Sequence, residues 1–96
     1  MPRQITKEEI ESLLKKNKTV RLTDVRSKEE YDKAHIPEAD NIPISNLEAN
    51  FSKEDIIVCI CNHGNQRSQQ AATFLNEKGF ENAYYLEGGN AGWPGE

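Results

Sequence analysis

Ile56-Ile57-Val58-Cys59-Ile60 is five apolar residues in succession, four of them β-branched, with no polar position to turn toward water. A strand with one wet face alternates; an unbroken run of this length reads as a strand covered on both faces, the pattern of a parallel sheet sandwiched between helices. Working downstream, Cys61-Asn62-His63-Gly64-Asn65-Gln66-Arg67 is polar, and Ser68, Ala71, Ala72 and Leu75 then recur at helical spacing. Gly79 stands where a helix C-cap belongs, so the spacing predicts a helix from Ser68 to Lys78. The central unit is therefore strand, polar loop, helix. Its loop lies at the carboxyl end of the strand, where open α/β sheets place their ligands.

Upstream, Ser27-Lys28-Glu29-Glu30 is a capping box that opens a short helix carrying Tyr31 and ending before His35-Ile36-Pro37. Before it, Val20 to Val25 alternates as a strand. Thr6-Lys7-Glu8-Glu9 is another box, and Ile10, Leu13 and Leu14 place a first helix from about Lys7 to Lys15 or Lys16. Asp40 to Pro43 is brief and extended. A third box, Ser45-Asn46-Leu47-Glu48, predicts a further short helix ending near Phe51, and Ala83 to Leu86 reads as a last strand closed by the turn Glu87-Gly88-Gly89. Strands alternating with helices in this way give an α/β layered sheet.

The chain has 96 residues and no Pro-, Gly- or Ser-rich stretch that would separate two cores, so residues 1–96 read as one domain. A formal charge of −4, with basic residues interleaved among acidic ones, leaves no positive stripe for nucleic acid. No run approaches the roughly 20 apolar residues that span a bilayer, so no membrane association is expected. Cys59 and Cys61 are separated by one residue at the end of a strand, a poor geometry for a structural disulfide. That favours a reducing compartment, the cytoplasm, where a free thiol can be used chemically.

Cys61 carries the chemistry. The loop after it has short or amide side chains and one glycine, so its backbone N–H groups can turn toward one centre as an anion nest. The positive end of the following helix and the forked guanidinium of Arg67 add to that field. Cysteines in such settings have pKa values lowered from about 8.5 to roughly 3.5 to 7.5, which makes them nucleophiles. The expected set is Cys61 as catalytic group, with Asn62, His63, Gly64, Asn65, Gln66, Arg67 and Ser68 binding substrate. Cys59, flanked by Val58 and Ile60, reads as a core residue.

Several segments resemble the rhodanese family, over about Ile5 to Trp93. Asp24-Val25-Arg26, Glu30-Tyr31, His35-Ile36-Pro37-Glu38-Ala39 and Asn41-Ile42-Pro43 are similar to its first block. Cys61 through Ala72 is similar to its active-site loop and helix, and Leu86-Glu87-Gly88-Gly89 with Trp93 to its closing motif. The resemblance implies a rhodanese-like α/β fold with a central five-stranded parallel sheet flanked by helices. It also implies a sulfurtransferase whose cysteine carries a persulfide: a small anionic donor such as thiosulfate gives a sulfane sulfur, and a thiol, cyanide or a protein acceptor takes it. No cofactor or metal is implied. Asp24, Arg26 and His35 are then structural supports, the first two as a salt bridge at a strand end and His35 as a turn residue, and Trp93 closes the core.

The chain departs from the family pattern in places. Ala34 and Glu38 stand where the family usually has glycine, and five residues, not four, separate Cys61 from Arg67. Five is the spacing of the cysteine phosphatases and arsenate reductases that share this fold. Those enzymes usually have His before the nucleophile, where this chain has Ile60, and the loop here offers no carboxylic acid to protonate a leaving oxygen. Sulfur transfer is thus the leading expectation, with phosphatase or arsenate reductase and a non-catalytic binding or regulatory module as alternatives.

Overall fold

A computed structural model describes residues 3–42, 44–62 and 66–89. Strands β1 (Arg3–Ile5), β2 (Val20–Asp24), β3 (Asp40–Asn41), β4 (Ile56–Ile60) and β5 (Ala83–Leu86) alternate with helices α1 (Lys7–Lys15), α2 (Lys28–Lys33) and α3 (Gln66–Glu77). A 3-10 helix, Ile44–Asn50, lies between β3 and β4. The strands form one parallel sheet in the order β1-β5-β4-β2-β3, so the apolar run is the central strand.

Both faces of β4 are covered, as its composition requires. Ile57 and Cys59 pack with Leu47, Ala71, Ala72, Leu75 and Phe80 on the α3 side. Val58 and Ile60 pack on the opposite face with Ile5, Ile10, Leu22 and Ile36. The two-residue period of a strand divides the run between the two cores.

The first two capping boxes form. The Glu9 N–H donates to Thr6 Oγ1 at 3.1 Å while the Thr6 N–H donates to Glu9 Oε1 at 2.8 Å. The corresponding Ser27 and Glu30 distances are 3.2 and 3.1 Å. The third box does not begin its helix as expected: the 3-10 segment starts at Ile44, which places Ser45 inside it rather than before it. α3 ends as its glycine suggests, with Gly79 at φ +96 and the Phe80 N–H donating to the Leu75 carbonyl at 2.9 Å. It starts two residues earlier than periodicity indicates, so Gln66 and Arg67 belong to its first turn.

β1 has no counterpart in the reading of periodicity. Its three residues, Arg-Gln-Ile, carry no alternation, and only Ile5 is buried. It is a strand because the edge of β5 offers hydrogen-bonding partners, in the register Arg3↔Tyr84 to Ile5↔Leu86. Pairing with a distant segment decides such an element; its own side chains do not.

Candidate active site

Cys61 follows the last residue of β4, and its Sγ lies 3.2 Å from Ser68 Oγ in the first turn of α3. Strand end and helix start thus meet at the sulfur. Cys61 is only 1% exposed and Cys59 is 0% exposed, so accessibility does not tell the two thiols apart. Their surroundings do. Cys59 sits among aliphatic side chains, and burial pushes its thiol up to about 12, far from ionisation near neutral pH. Cys61 has a hydroxyl beside it and a network of charged and amide groups one residue away.

That network starts on β2. Asp24, 0% exposed at the strand end, accepts from Arg26 through both carboxylate oxygens: Arg26 Nε donates to Oδ1 at 2.9 Å and Nη2 to Oδ2 at 2.7 Å. The Arg26 backbone N–H also donates to Oδ1, at 3.0 Å. A carboxylate taken out of water needs this degree of compensation. Hydrogen bonding to Asp24 is also the main reason the Arg26 guanidinium holds its proton more tightly than usual. Arg26 then reaches outward, donating from Nη2 to the Ala34 carbonyl at 2.6 Å and from Nη1 to Asn62 Oδ1 at 2.8 Å. The residue after the cysteine is thereby tied to β2, which lies beside β4 in the sheet.

The other end of Asn62 is held by α2. Its Nδ2 donates to Glu30 Oε2 at 3.2 Å. Glu30 meets Arg67 at the same time, with Arg67 Nη1 donating to Oε1 at 2.8 Å and Nη2 to Oε2 at 3.1 Å. This two-pronged pair pulls the Glu30 carboxyl well below the usual carboxylate range, with the Ser27 backbone N–H adding to the effect, and raises the Arg67 pKa in return. Asp24, Arg26, Asn62, Glu30 and Arg67 form one continuous chain of hydrogen bonds drawn from β2, α2, the end of β4 and α3.

Of the residues singled out from sequence, Asp24, Arg26, Cys61, Asn62, Arg67 and Ser68 are thus brought together. Gln66 is exposed at the start of α3. His63, Gly64 and Asn65, with Trp93, fall outside the described residues. His35 stands apart from the sulfur: its ring stacks on Tyr31 with centroids 3.7 Å apart, and Nδ1 lies 2.7 Å from the Tyr31 carbonyl oxygen. Glu30 is the residue that sequence reasoning missed in the site. The signal was present, because a capping-box glutamate has a second oxygen free to reach elsewhere, but the box alone accounted for it. Among the described residues no three His, Cys, Asp or Glu side chains gather as a metal site would.

A cysteine directly after a central strand, a helix starting five residues later with arginine in its first turn, and a five-stranded parallel sheet are features shared with known proteins. The family model described as Rhodanese-like domain matches residues 6–96. The chain belongs to the rhodanese family. The thiosulfate sulfurtransferase GlpE of Shewanella oneidensis is 35% identical to this rhodanese-like domain over 79 residues, 79% of the chain and 77% of the relative. The putative sulfur carrier protein YrkF of Bacillus subtilis is 33% identical over 96 residues, 97% of the chain, and the match spans 51% of that longer protein. Among solved structures, the human single-domain sulfurtransferase TSTD1 superposes with a TM-score of 0.83 at 30% identity, covering 97% of this chain and 96% of that one. A rhodanese-like domain protein from Staphylococcus aureus gives a TM-score of 0.81 at 33% identity, covering 98% and 93%. No helix among the described residues is long and apolar enough to cross a membrane.

Proposed function

We propose that this rhodanese-like domain is a sulfurtransferase in which Cys61 takes a sulfane sulfur as a persulfide and passes it to a thiol, to cyanide or to a protein acceptor. The observation that carries this reading is the position of Cys61, at the junction of β4 and α3 with Ser68 Oγ 3.2 Å from its sulfur and Arg67 in the same first turn. As a thiolate, Cys61 attacks the outer sulfur of thiosulfate. A sulfur–sulfur bond forms on the enzyme, the one in the donor breaks, and sulfite leaves with the electron pair. A thiol acceptor repeats the exchange in the second half-reaction and frees the thiolate. Ser68 donates a hydrogen bond to the anionic sulfur, and the backbone at Asn62 is held in place by Arg26 and Glu30. A working thiolate suits a reducing compartment, and we place the protein in the cytoplasm.

The five-residue spacing between Cys61 and Arg67 favours a second reading, attack on a phosphate or arsenate. Phosphate-ester cleavage benefits from a carboxylic acid that still holds its proton. Among the described residues, the carboxylates in the network around Asn62 are Asp24 and Glu30. Asp24 accepts from Arg26 through both oxygens, and Glu30 is held ionised by Arg67. With their oxygens engaged by arginines, neither is placed to protonate a leaving oxygen, which leaves sulfur transfer as the better supported chemistry.

Intact-mass measurement after incubation with thiosulfate tests the reading directly. The expected result is addition of one sulfur atom to the wild-type protein, none to Cys61→Ser, and weak or no hydrolysis of an aryl phosphate. Sulfur addition that survived in Cys61→Ser would remove the assigned nucleophile. No addition, with strong phosphatase or arsenate reductase activity, would replace the reading by the second one, and no activity of either kind would leave a non-catalytic module.

A further inference from the structure

Among the described residues, four charged side chains stand beside the Cys61 sulfur at the junction of β4 and α3, and they cancel in pairs. Arg26 is matched by Asp24 and Arg67 by Glu30, with Nη–Oε distances of 2.8 and 3.1 Å in the second pair. The remaining side chains described in this network, Asn62 and Ser68, carry no charge. An arginine in an anion cradle normally supplies an uncompensated positive charge. Here its fork is already engaged by an internal carboxylate.

We propose that Glu30 is a specificity-determining residue: by cancelling the charge of Arg67 and bridging it to Asn62, it makes the site prefer a singly charged sulfane-sulfur donor, a low-molecular-weight hydropersulfide, over the thiosulfate dianion. The inference rests on the sulfur-transfer reading above and names the donor class for that same site. The cost of stripping water from an ion rises with the square of its charge, so a dianion pays about four times what a monoanion pays on entering. A net positive cradle offsets that cost, and a neutral one offsets little of it. A dianion must also displace the Glu30 carboxylate from Arg67 or sit close beside it. A monoanion is repelled half as much, and Arg67 keeps further N–H groups with which to hold it, since a guanidinium has five. Glu30 remains ionised because Arg67 and the Ser27 N–H favour its charged form, so the cancellation holds at neutral pH.

The chemistry balances with either donor. With a hydropersulfide anion R–S–S⁻, the proton of the Cys61 thiol passes to the donor's terminal sulfur, the Cys61 sulfur attacks that sulfur, the new sulfur–sulfur bond forms as the donor's breaks, and R–S⁻ departs with the electron pair. With thiosulfate the same attack expels sulfite. Neither needs an oxidant or a reductant.

Rapid-quench intact mass, reading the rate at which Cys61 gains one sulfur from thiosulfate and from cysteine hydropersulfide at several salt concentrations, tests the assignment on wild type, Glu30→Gln and Ser27→Ala. Glutamine still completes a capping box, so Glu30→Gln removes the charge while keeping the start of α2. Ser27→Ala breaks the box and keeps the charge. The expected result is that wild type loads faster from the hydropersulfide, and that Glu30→Gln raises kcat/KM for thiosulfate about tenfold relative to that for the hydropersulfide. Thiosulfate loading should also become more salt-sensitive in Glu30→Gln, and Ser27→Ala should keep the wild-type ratio of the two donors. If Glu30→Gln changes both donors by the same factor, or lowers thiosulfate use, Glu30 is a structural support and the proposal fails. If wild type gains sulfur from neither donor while Cys61 is intact, the sulfur-transfer reading itself falls and takes this inference with it.

Discussion

α1 and α2 begin in the same way at the same kind of place. Each follows the carboxyl end of a parallel strand, and each opens with a hydroxyl residue and a glutamate three positions later that satisfy one another's backbone N–H groups. Local chemistry does not separate the two boxes, yet their roles differ. Glu9 is bonded to Thr6 and stays at the surface. Glu30 caps Ser27 with one oxygen and with the pair of them also holds Arg67 and Asn62. The difference comes from sheet order. β1 is an edge strand beside β5, whereas β2 lies against β4, so only the helix that follows β2 starts next to Cys61. A capping motif says where a helix begins; the neighbour of its strand decides what else its side chains can touch.

The comparison can be pressed hardest at the buried end of the α2 network. Arg26→Ala leaves Asp24 as an uncompensated carboxylate with no exposed surface, and stability should fall by about 3 to 5 kcal/mol in urea denaturation. Among the described residues no buried charge lies near α1: Arg3 interacts with the Tyr84 ring and hydroxyl at the surface, and Arg3→Ala should cost less than about 1 kcal/mol. Equal losses in the two variants would show that the region around α2 is not the more tightly constrained one.

Arg67→Ala separates binding from folding. Its side chain is 41% exposed, so stability should change little, while thiosulfate loading should weaken by about 1.5 to 3 kcal/mol, roughly 10- to 100-fold. An unchanged thiosulfate dependence would take Arg67 out of the site and leave Glu30 with a structural partner only.

The paired variants Glu9→Ala and Glu30→Ala compare the boxes themselves. Glu9→Ala should cost about 0.3 to 1.5 kcal/mol and leave sulfur loading untouched. Glu30→Ala loses the same cap and also frees Arg67 and Asn62, so its melting temperature should fall further and its rates should change as well. Altered loading in Glu9→Ala would break the distinction.

Acid titration gives the smallest effect. The Glu30 carboxyl is held below its ordinary value of 4.5, first by Arg67 and then by the Ser27 N–H. A depressed carboxylate contributes stability that is complete above its unfolded-state pKa and is lost as pH falls below it. The stability difference between wild type and Glu30→Gln, followed by urea midpoint from about pH 6 to about pH 3, should therefore shrink with acidification. A difference that stays constant over that interval would mean that the Arg67 pair contributes nothing to folding.

Much of this protein was readable from local pattern. The unbroken run Ile56–Ile60 identified the central strand because only a strand covered on both faces has no polar position to spare. Two of the three capping boxes marked helix starts, because that motif is closed within four residues. Cys61, Arg67 and Ser68 stood out because they lie together on one strand-to-helix junction, within eight consecutive residues.

What local pattern did not contain was every contact made between distant segments. β1 depends on a partner 81 residues away, and its own side chains carry no strand signature. The bonds from Arg26 to Asn62 and from Glu30 to Arg67 span 36 and 37 residues. Asp24, Arg26 and Glu30 each had a sufficient local explanation, a strand-end salt bridge or a helix cap. By itself the sequence determined which residues could carry the chemistry and where helices and strands would form, since propensity, periodicity and capping act over a few residues. Which of those residues meet was decided by the order β1-β5-β4-β2-β3, a property of the whole sheet, which places the start of α2 against the end of β4 and so brings Glu30 to Arg67.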